Sequence, residues 1–513
     1  MAIDPKHLPD DPKILQQMVL DLMSQLDREF TERNKIESLL RELLDAKRNR
    51  KSEQLSADQL ALFAAAWQAR QAAVEAAQAA EKSEDDDDAK PTTGSSDRGQ
   101  KVRGRQPLPK HLKRERIVHD LSEAEKHCGT CHQELRPIGE EASERYENVP
   151  AQLTVIEDVC KKYACACTVK TATKPPQPIE KSTAGASLLA QVIVAKCADH
   201  LPLHRQEKIF ERHGVEISRK TMCGWLAQCA DLLQPLYGAL KKELFGSKVI
   251  GTDDTSVKVL DIKLPFARTG RIWPYYGDND HPVIVYDYTA TRERAGPEKF
   301  LKQYRGYLQA DAYAGYDAFF KDPARGLIEV GCWAHARRYF HKALESDQAR
   351  MGPALLLIAQ LYKIERQART LTAEDRRQLR QLQSRPILGK LHDYLLEIEA
   401  EVLPKSPEGR AVRYTLKNWT ALTRFCEDGD LAMDNNGTER SIRGIAVGRN
   451  NWVFFGSDQG GTTAAVLRSF VASCQRNGID PFLWFKDVLS RLASHPINRL
   501  AELLPHRWAA VQA

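Results

Sequence analysis

Two carboxylates stand where a hard cation could be held: Asp253 in TDDT and Asp311 in LQADAYAGY. Mg²⁺ takes oxygen ligands and keeps some of its waters, so a few Asp and Glu side chains suffice to bind it. A lone Asp at a strand end is more often a turn or cap residue, so the pair matters only if folding brings the two together. The surrounding pattern predicts that it does. KVIGTDDTSVKVL alternates as a strand, RIWPYYG and PVIVYDYT make two more, and YRGYLQADAYAGY supplies a fourth that ends in Asp311. Helical patterns at 297–303 and 313–320, a strand near 327–332 and the helix AHARRYFHKAL complete a five-stranded mixed sheet flanked by helices. In that order, which is the order of an RNase H-like fold, the first and fourth strands are neighbours and Asp253 and Asp311 can share a metal. Asp254, one step along the strand, points away from Asp253 by the alternation of strand side chains.

A second constellation is softer. HCGTCHQEL places Cys128 and Cys131 at the C-x2-C spacing that sets two thiolates on one side of a tetrahedral Zn²⁺, and YACACT offers Cys165 and Cys167 to close the other side. The C-x-C spacing of the second pair is tighter and leaves Cys160, His127 or His132 as substitutes for one ligand, against ordinary reduced cysteines as the plainer reading.

The rest of the chain must position these groups. Its 513 residues exceed one hydrophobic core and predict three or four domains, and the 42% apolar and 28% charged fractions are those of a soluble protein. No stretch approaches the roughly 20 apolar residues of a membrane span. The polar start MAIDPKHLPD lacks a secretory signal, so the eleven cysteines are expected reduced in the cytoplasm. Net charge is only +6, but KVRGRQPLPKHLKRER concentrates seven cations beside the acidic run 84–88 and reads as a linker or as a basic arm for DNA phosphates. Leu15, Val19, Leu22, Leu26, Ile36, Leu40 and Leu43 recur at a 4-3 spacing interrupted by Glu29 and Arg33, a short coiled-coil seam that predicts self-association. In RQEKIFERHGVEISRKTMCGWLAQCADLL, a glycine stop at Gly214 and a capping serine at Ser218 join two helices. The arrangement is that of a helix-turn-helix, whose second helix could put Arg219, Lys220 and Thr221 near a major groove, or of a helix pair in a plain helical domain.

From about Leu39 to Trp508 the chain resembles the IS66 family of insertion-sequence transposases. The resemblance is carried by KSEQLSADQLALF, the cysteine knuckle, LPLHRQEKIFERHGVEIS, TDDTSVKVL, LQADAYAGY, GCWAHARRYF, DNNGTERSIRGIAVGRNNWVFFGS and DPFLWFKDVLSRL. It implies an RNase H-like fold with a helical insertion before the last acid, and its acid triad falls on Asp253, Asp311 and, in NNGTER, Glu439. Departures are few. Asp254 replaces the glutamate of the usual ADET, Gly444 and Asn450 stand where proline and lysine are common, and the second cysteine pair is one residue tighter.

The expectation is therefore a multi-domain α/β DNA transposase that nicks DNA and transfers strands with Mg²⁺ or Mn²⁺ held by Asp253, Asp311 and Glu439, and that carries a structural Zn²⁺. Asp434 is expected to cap the helix that bears Glu439. His335, Arg337 and Arg338 are candidates for the scissile phosphate, and Arg440, Arg443 and Arg449 for further DNA contacts. Expected partners are DNA ends and target, a second copy or more of the chain, and small accessory proteins encoded beside it, in the bacterial cytoplasm at the nucleoid. The alternatives are a nuclease of the same fold that cuts without joining, and an idle DNA-binding protein. Expected boundaries are a helical, coiled-coil region at 1–80, a charged linker at 81–117, the knuckle at 118–178 and a helical DNA-binding region at 179–245. The core follows at 246–348, the helical insertion at 349–426, the end of the core with the third acid at 427–475 and a helical tail at 476–513.

Overall fold

The computed structural model describes residues 56–79, 153–158, 162–164, 169–171, 176–180, 182–261 and 263–508. The seam from Leu15 to Leu43, the basic run 101–116 and Cys128, Cys131, Cys160, Cys165 and Cys167 lie outside them. The chain divides into two compact units, 80–174 and the remainder. Of the smaller unit, the antiparallel strands β1 (Lys162–Ala164) and β2 (Val169–Thr171) are described, with Lys162 opposite Thr171.

The larger unit opens with helix α1 (Ala57–Ala79), started by a reciprocal capping box: Ser56 N–H donates to Gln59 Oε1 at 2.9 Å and Gln59 N–H to Ser56 Oγ at 3.1 Å. Four helices follow: α2 (Ala186–Cys197), α3 (Leu203–Arg212), α4 (Arg219–Leu232) and α5 (Gln234–Leu244). Between α3 and α4 the chain reverses through Gly214, whose φ of +74° is open to glycine and strained for a side chain, and Ser218 Oγ caps α4 by accepting from Thr221 N–H at 3.1 Å.

The sheet comes next. Strands β3 (Val249–Thr252) and β4 (Thr255–Val259) keep one register against antiparallel β5 (Arg268–Tyr276): Gly251 faces Tyr276, Thr252 faces Tyr275 and Thr255 faces Ile272. They are one strand, interrupted only at Asp253 and Asp254. Continuing the register puts Pro274 opposite Asp253, and a proline has no N–H to give the ladder, so the pairing lapses there. Strand β6 (Ile284–Thr289) pairs antiparallel with the far side of β5. After α6 (Ala295–Phe300), β7 (Gly306–Gln309) pairs parallel with β3; after α7 (Asp317–Phe320), β8 (Leu327–Val330) pairs parallel with β7. The five expected strands thus lie in the order β8, β7, β3/β4, β5, β6, with the first and fourth adjacent as expected from their order along the chain.

Helix α8 (Trp333–Ala343) leads into an all-helical stretch: α9 (Gln348–Gln367), α10 (Ala373–Leu379), α11 (Arg385–Glu399), α12 (Pro407–Lys417) and α13 (Trp419–Thr423). It builds its own core from residues such as Leu355, Ile358, Leu361, Leu391, Leu395 and Phe425, continuous with Val330 and Trp333. Arg380 is the polar centre of this region, its side chain only 2% exposed. It grips Glu365 at 2.8 and 2.7 Å and donates to the carbonyls of Phe425, Asp428 and Leu431 at 2.7, 3.1 and 3.0 Å. Helix α1 also seats here. Phe63 is buried against Gly352, Trp67 meets Tyr394 edge-on at 5.1 Å, and Arg70 pairs with Glu397 at 2.6 Å. The end of the expected coiled-coil region is therefore a packed helix of this unit, because Phe63 and Trp67 find apolar surface far along the chain.

The chain returns through α14 (Asn436–Trp452), the short strand β9 (Phe454–Phe455), α15 (Asp458–Arg476) and α16 (Pro481–Arg491). Strand β9 was not expected; its two residues run parallel to Lys258 and Val259 of β4. Of the outer strands of the described sheet, β8, β9 and β6, two have outward backbone groups taken by side chains and loops. On β6, Ser473 and Ser469 of α15 accept from the N–H groups of Ile284 and Tyr286 at 2.9 and 2.8 Å. At β8, Glu329 O accepts from Arg424, and the N–H of Gly331 just beyond donates to Ala421 O at 2.9 Å. Among the described residues no helix is long and apolar enough to cross a membrane.

Candidate acid site

Parallel pairing of β3 with β7 sets Gly251 beside Gln309, and two residues beyond each stand Asp253 and Asp311, at the same end of neighbouring strands. Their charges meet. Burial, then the charge of Asp311, and more weakly those of Asp254 and Glu439, push the Asp253 carboxyl up to about 7, against the opposing hydrogen bond from Asp254 N–H to its Oδ1 at 2.7 Å. The turn after β7 holds Asp311: Tyr313 N–H donates to its Oδ1 at 3.2 Å, and Ala312 takes a left-handed φ of +60° that is uncommon for a residue with a Cβ. Tyr414 of α12 donates to the Asp311 carbonyl at 3.3 Å, so the helical insertion reaches the site.

Glu439 arrives from another direction, in the first turn of α14. That turn is fastened to the sheet by buried polar contacts. Asn435 Nδ2 donates to Thr252 O at 2.9 Å, Asn435 N–H donates to Cys332 Sγ at 3.2 Å, and Thr438 Oγ1 donates to Asn435 Oδ1 at 2.5 Å. Gly251 makes the approach possible, since a Cβ there would meet Asn435 Oδ1 at 2.6 Å and collide with Thr438 Oγ1. Gly251→Ala is expected to cost about 1–3 kcal/mol by overpacking and to move Glu439 off the strand ends. Urea unfolding with a wild-type midpoint would show that the helix start yields freely.

Glu439 Oε1 is buried and accepts no hydrogen bond from the described residues; His335 Nδ1 lies 3.6 Å from it, and Arg338 Nη2 lies 3.6 Å from Oε2. Cys332 Sγ, a His335 ring nitrogen and a Glu439 oxygen lie within 4.8 Å of one another, a grouping that could hold a metal ion. Burial pushes the metal-free Cys332 thiol up to about 12, and its Sγ accepts from Asn435 N–H. An oxygen donor set of three carboxylates, one of them with a buried oxygen, suits a hard divalent cation.

The other expected residues are placed as follows. Asp254 is held by two guanidiniums, Arg271 at 2.7 Å and Arg292 at 2.7 Å, which leaves Asp253 as the available acid of the pair. Asp434 does not act as the cap of α14: that position is Asn435, and Asp434 instead accepts from Asn436 N–H at 3.2 Å and from Asn436 Nδ2 at 2.6 Å, because the helix begins one residue later. Arg440 and Arg443 are exposed on α14, whereas Arg449 Nη1 donates to Thr255 Oγ1 and Ser256 O at 3.0 and 2.8 Å and so ties α14 to β4. His335, Arg337 and Arg338 are half-buried on α8, with His335 and Arg338 beside Glu439. Arg219 and Lys220 are exposed at the start of α4, where Glu207 Oε1 accepts from Arg219 N–H at 3.0 Å. Sequence reasoning did not find Asn435, Thr438 and Cys332, which dock the third acid, or Arg271 and Arg292, which hold Asp254; only NNGTER, already singled out for its glutamate, pointed near the first two.

The class the fold defines is a mixed α/β protein, with two acids at neighbouring parallel strand ends and a third at a helix start whose charge acts on the first. Comparison with known proteins narrows it. Residues 181–463 match the profile described as Transposase IS66 family, and 469–506 match the IS66 C-terminal element. Residues 125–168 match a zinc-finger binding domain of transposase IS66, and 37–117 match Transposase C of IS166 homeodomain. The chain belongs to the IS66 transposase family. Two relatives from Sinorhizobium fredii bear the names Uncharacterized protein y4hP and Uncharacterized protein y4jD. The first is 32% identical over 80% of this chain and 78% of its own length, the second 34% identical over 80% and 85%.

Proposed function

We propose that the protein is a DDE transposase whose RNase H-like core nicks DNA and joins the freed end to a target. The observation that carries this reading is the juxtaposition of Asp253 and Asp311 on paired strand ends, with Glu439 near enough for its charge to act on Asp253. Divalent cations such as Mg²⁺ or Mn²⁺ would supply charge neutralisation for both the attacking and the leaving oxygen of an in-line displacement at phosphorus. Asp253, Asp311 and Glu439 would hold them. Asp253 enters the reaction as a carboxylate, and Asn435 and Thr438 keep Glu439 pressed to the strand. His335 and Arg338, beside Glu439, are placed to meet a phosphate oxygen, and Arg337 lies on the same helix. Arg440 and Arg443 on α14 and Arg219 and Lys220 on α4 would bind DNA phosphates, with Arg449 holding α14 in place.

The zinc-finger match at 125–168 supports a structural Zn²⁺, for which Cys128, Cys131, Cys165 and Cys167 are the proposed ligands. A dimer or larger assembly through the N-terminal seam, aided by small accessory proteins, would bring two element ends together at the nucleoid. The test is a strand-transfer assay with labelled element ends. Joined products with Mg²⁺ are expected; cutting without joining would make the protein a nuclease, and neither would make it a DNA-binding protein alone.

A pH dependence follows from Asp253. Its folded-state value of about 7 lies above the ordinary 3.8, so the cation-free protein binds this proton more tightly when folded and loses that stability as pH rises through 7. A bound cation must displace the proton. Below pH 7 apparent Mn²⁺ affinity is expected to fall about tenfold per unit, so the cation should raise the melting temperature strongly at pH 8 and little at pH 5.5. An equal shift at both would remove Asp253 from the cation site.

A further inference from the structure

We propose that Asp254, Arg271 and Arg292 form a positioning clamp that, through Tyr313, holds Asp253 and Asp311 as one rigid pair; this rests on the reading of those acids as cation ligands. The need for a clamp arises at the strand break. Between β3 and β4 the ladder lapses opposite Pro274, so backbone pairing does not fix the segment that carries the first acid. Side chains take over. The Asp254 carboxylate, 3% exposed, receives Arg271 Nη1 on Oδ2 at 2.7 Å and Arg292 Nε and Nη2 on Oδ1 at 2.9 and 2.7 Å. A buried carboxylate is tolerated when paired and hydrogen-bonded in this way, and it costs several kcal/mol when one partner is removed.

Arg292 carries the clamp across to the second acid. Its guanidinium lies 4.3 Å from the Tyr313 ring centroid, and Tyr313 Oη donates to the Arg292 carbonyl at 2.6 Å. The same Tyr313 donates its N–H to Asp311 Oδ1. A closed circuit results: Asp253, its neighbour Asp254, Arg292, Tyr313, Asp311 and back through the β3–β7 pairing. Arg292 itself sits on an exposed loop, 290–294, between β6 and α6, and its side chain is 42% exposed, so these contacts are what order it. The two arginines have a second effect: they neutralise Asp254, which would otherwise compete with Asp253 for the cation from the adjacent position.

Groups that orient metal ligands from outside the coordination shell typically change metal affinity by 10–100-fold when removed. Arg292→Ala and Asp254→Asn are therefore expected to raise the Mn²⁺ dissociation constant, read by electron paramagnetic resonance, about tenfold or more. Nicking should fall at limiting Mn²⁺ and recover in part at saturating Mn²⁺, while DNA binding measured without divalent cation stays at the wild-type level. Arg292→Lys keeps a charge without the two-pronged grip and should fall between. Tyr313→Phe, which keeps the ring and loses only the hydroxyl, carries the test if Asp254→Asn does not fold. Wild-type Mn²⁺ affinity in Arg292→Ala and Tyr313→Phe overturns the proposal. So does weakened DNA binding with unchanged Mn²⁺ affinity, which makes Arg292 a substrate contact instead. If the wild-type protein itself neither binds Mn²⁺ nor nicks DNA, it is the cation-site reading that fails.

Discussion

Replacing Asp253, Asp311 or Glu439 singly by alanine is expected to lower DNA nicking by about 10³-fold or more, roughly 4 kcal/mol in activation free energy, while leaving the protein folded and able to bind DNA. The reason is local. Asp253 and Asp311 extend past the last paired residues of β3 and β7, and Glu439 sits at the start of α14, so none of the three carboxylates builds the apolar core. Removing Asp253 even removes a buried like-charge conflict, and Asp253→Ala should melt no lower than wild type in the absence of divalent cation. Near-normal nicking by any one variant, in protein with an unchanged circular dichroism spectrum, takes that residue out of the triad.

A loss of a different kind is expected at Arg380. Arg380→Ala should destabilise the larger unit by about 3–5 kcal/mol, because it leaves Glu365 uncompensated and strips donors from the carbonyls of Phe425, Asp428 and Leu431 together. The effect is thermodynamic before it is catalytic. Those carbonyls belong to the segment leading to Glu439, so activity should follow the unfolding curve and return on cooling. A melting temperature within about 1 °C of wild type, where roughly 3–6 °C of loss is expected for a unit of this size, would show that the helical stretch does not depend on this one side chain.

The sheet was legible in the sequence because its strands announce themselves by alternation, as in TSVKV, or by β-branched and aromatic residues, as in IVYDYT, and because their order was read as that of an RNase H-like fold, whose first and fourth strands are neighbours. Asp253 and Asp311 could be paired on that basis alone. Glu439 could not: it lies on a helix more than a hundred residues beyond Asp311, and only the family resemblance of NNGTER singled it out. The parts that escaped are those decided by distant partners. Phe454 and Phe455 are too short a run to read as a strand until β4 is there to pair with them. Arg271 and Arg292 look like ordinary surface cations until Asp254 is buried between them, and Phe63 and Trp67 look like one face of a coil until Gly352 and Tyr394 cover them. Asp434 was misread by one position, an error that the repeated asparagines of DNNG invite.

The covered stretches of β6 and β8 have a consequence for how copies of the chain can meet. An unpaired outer strand is a template on which another chain can add a strand of its own, and exposed edges of this kind lead to filaments and precipitation as readily as to ordered complexes. Here Ser473 and Ser469 accept from the N–H groups of Ile284 and Tyr286 on β6, Arg424 donates to Glu329 O on β8, and Ala421 O accepts from Gly331 N–H just beyond it. At those positions of β6 and β8 a strand from another chain would find the backbone groups already taken, which disfavours pairing of two copies there. Under the proposed strand-transfer reading, association through other surfaces that can be engaged and released would suit a protein that assembles on two DNA ends and then lets go of the product.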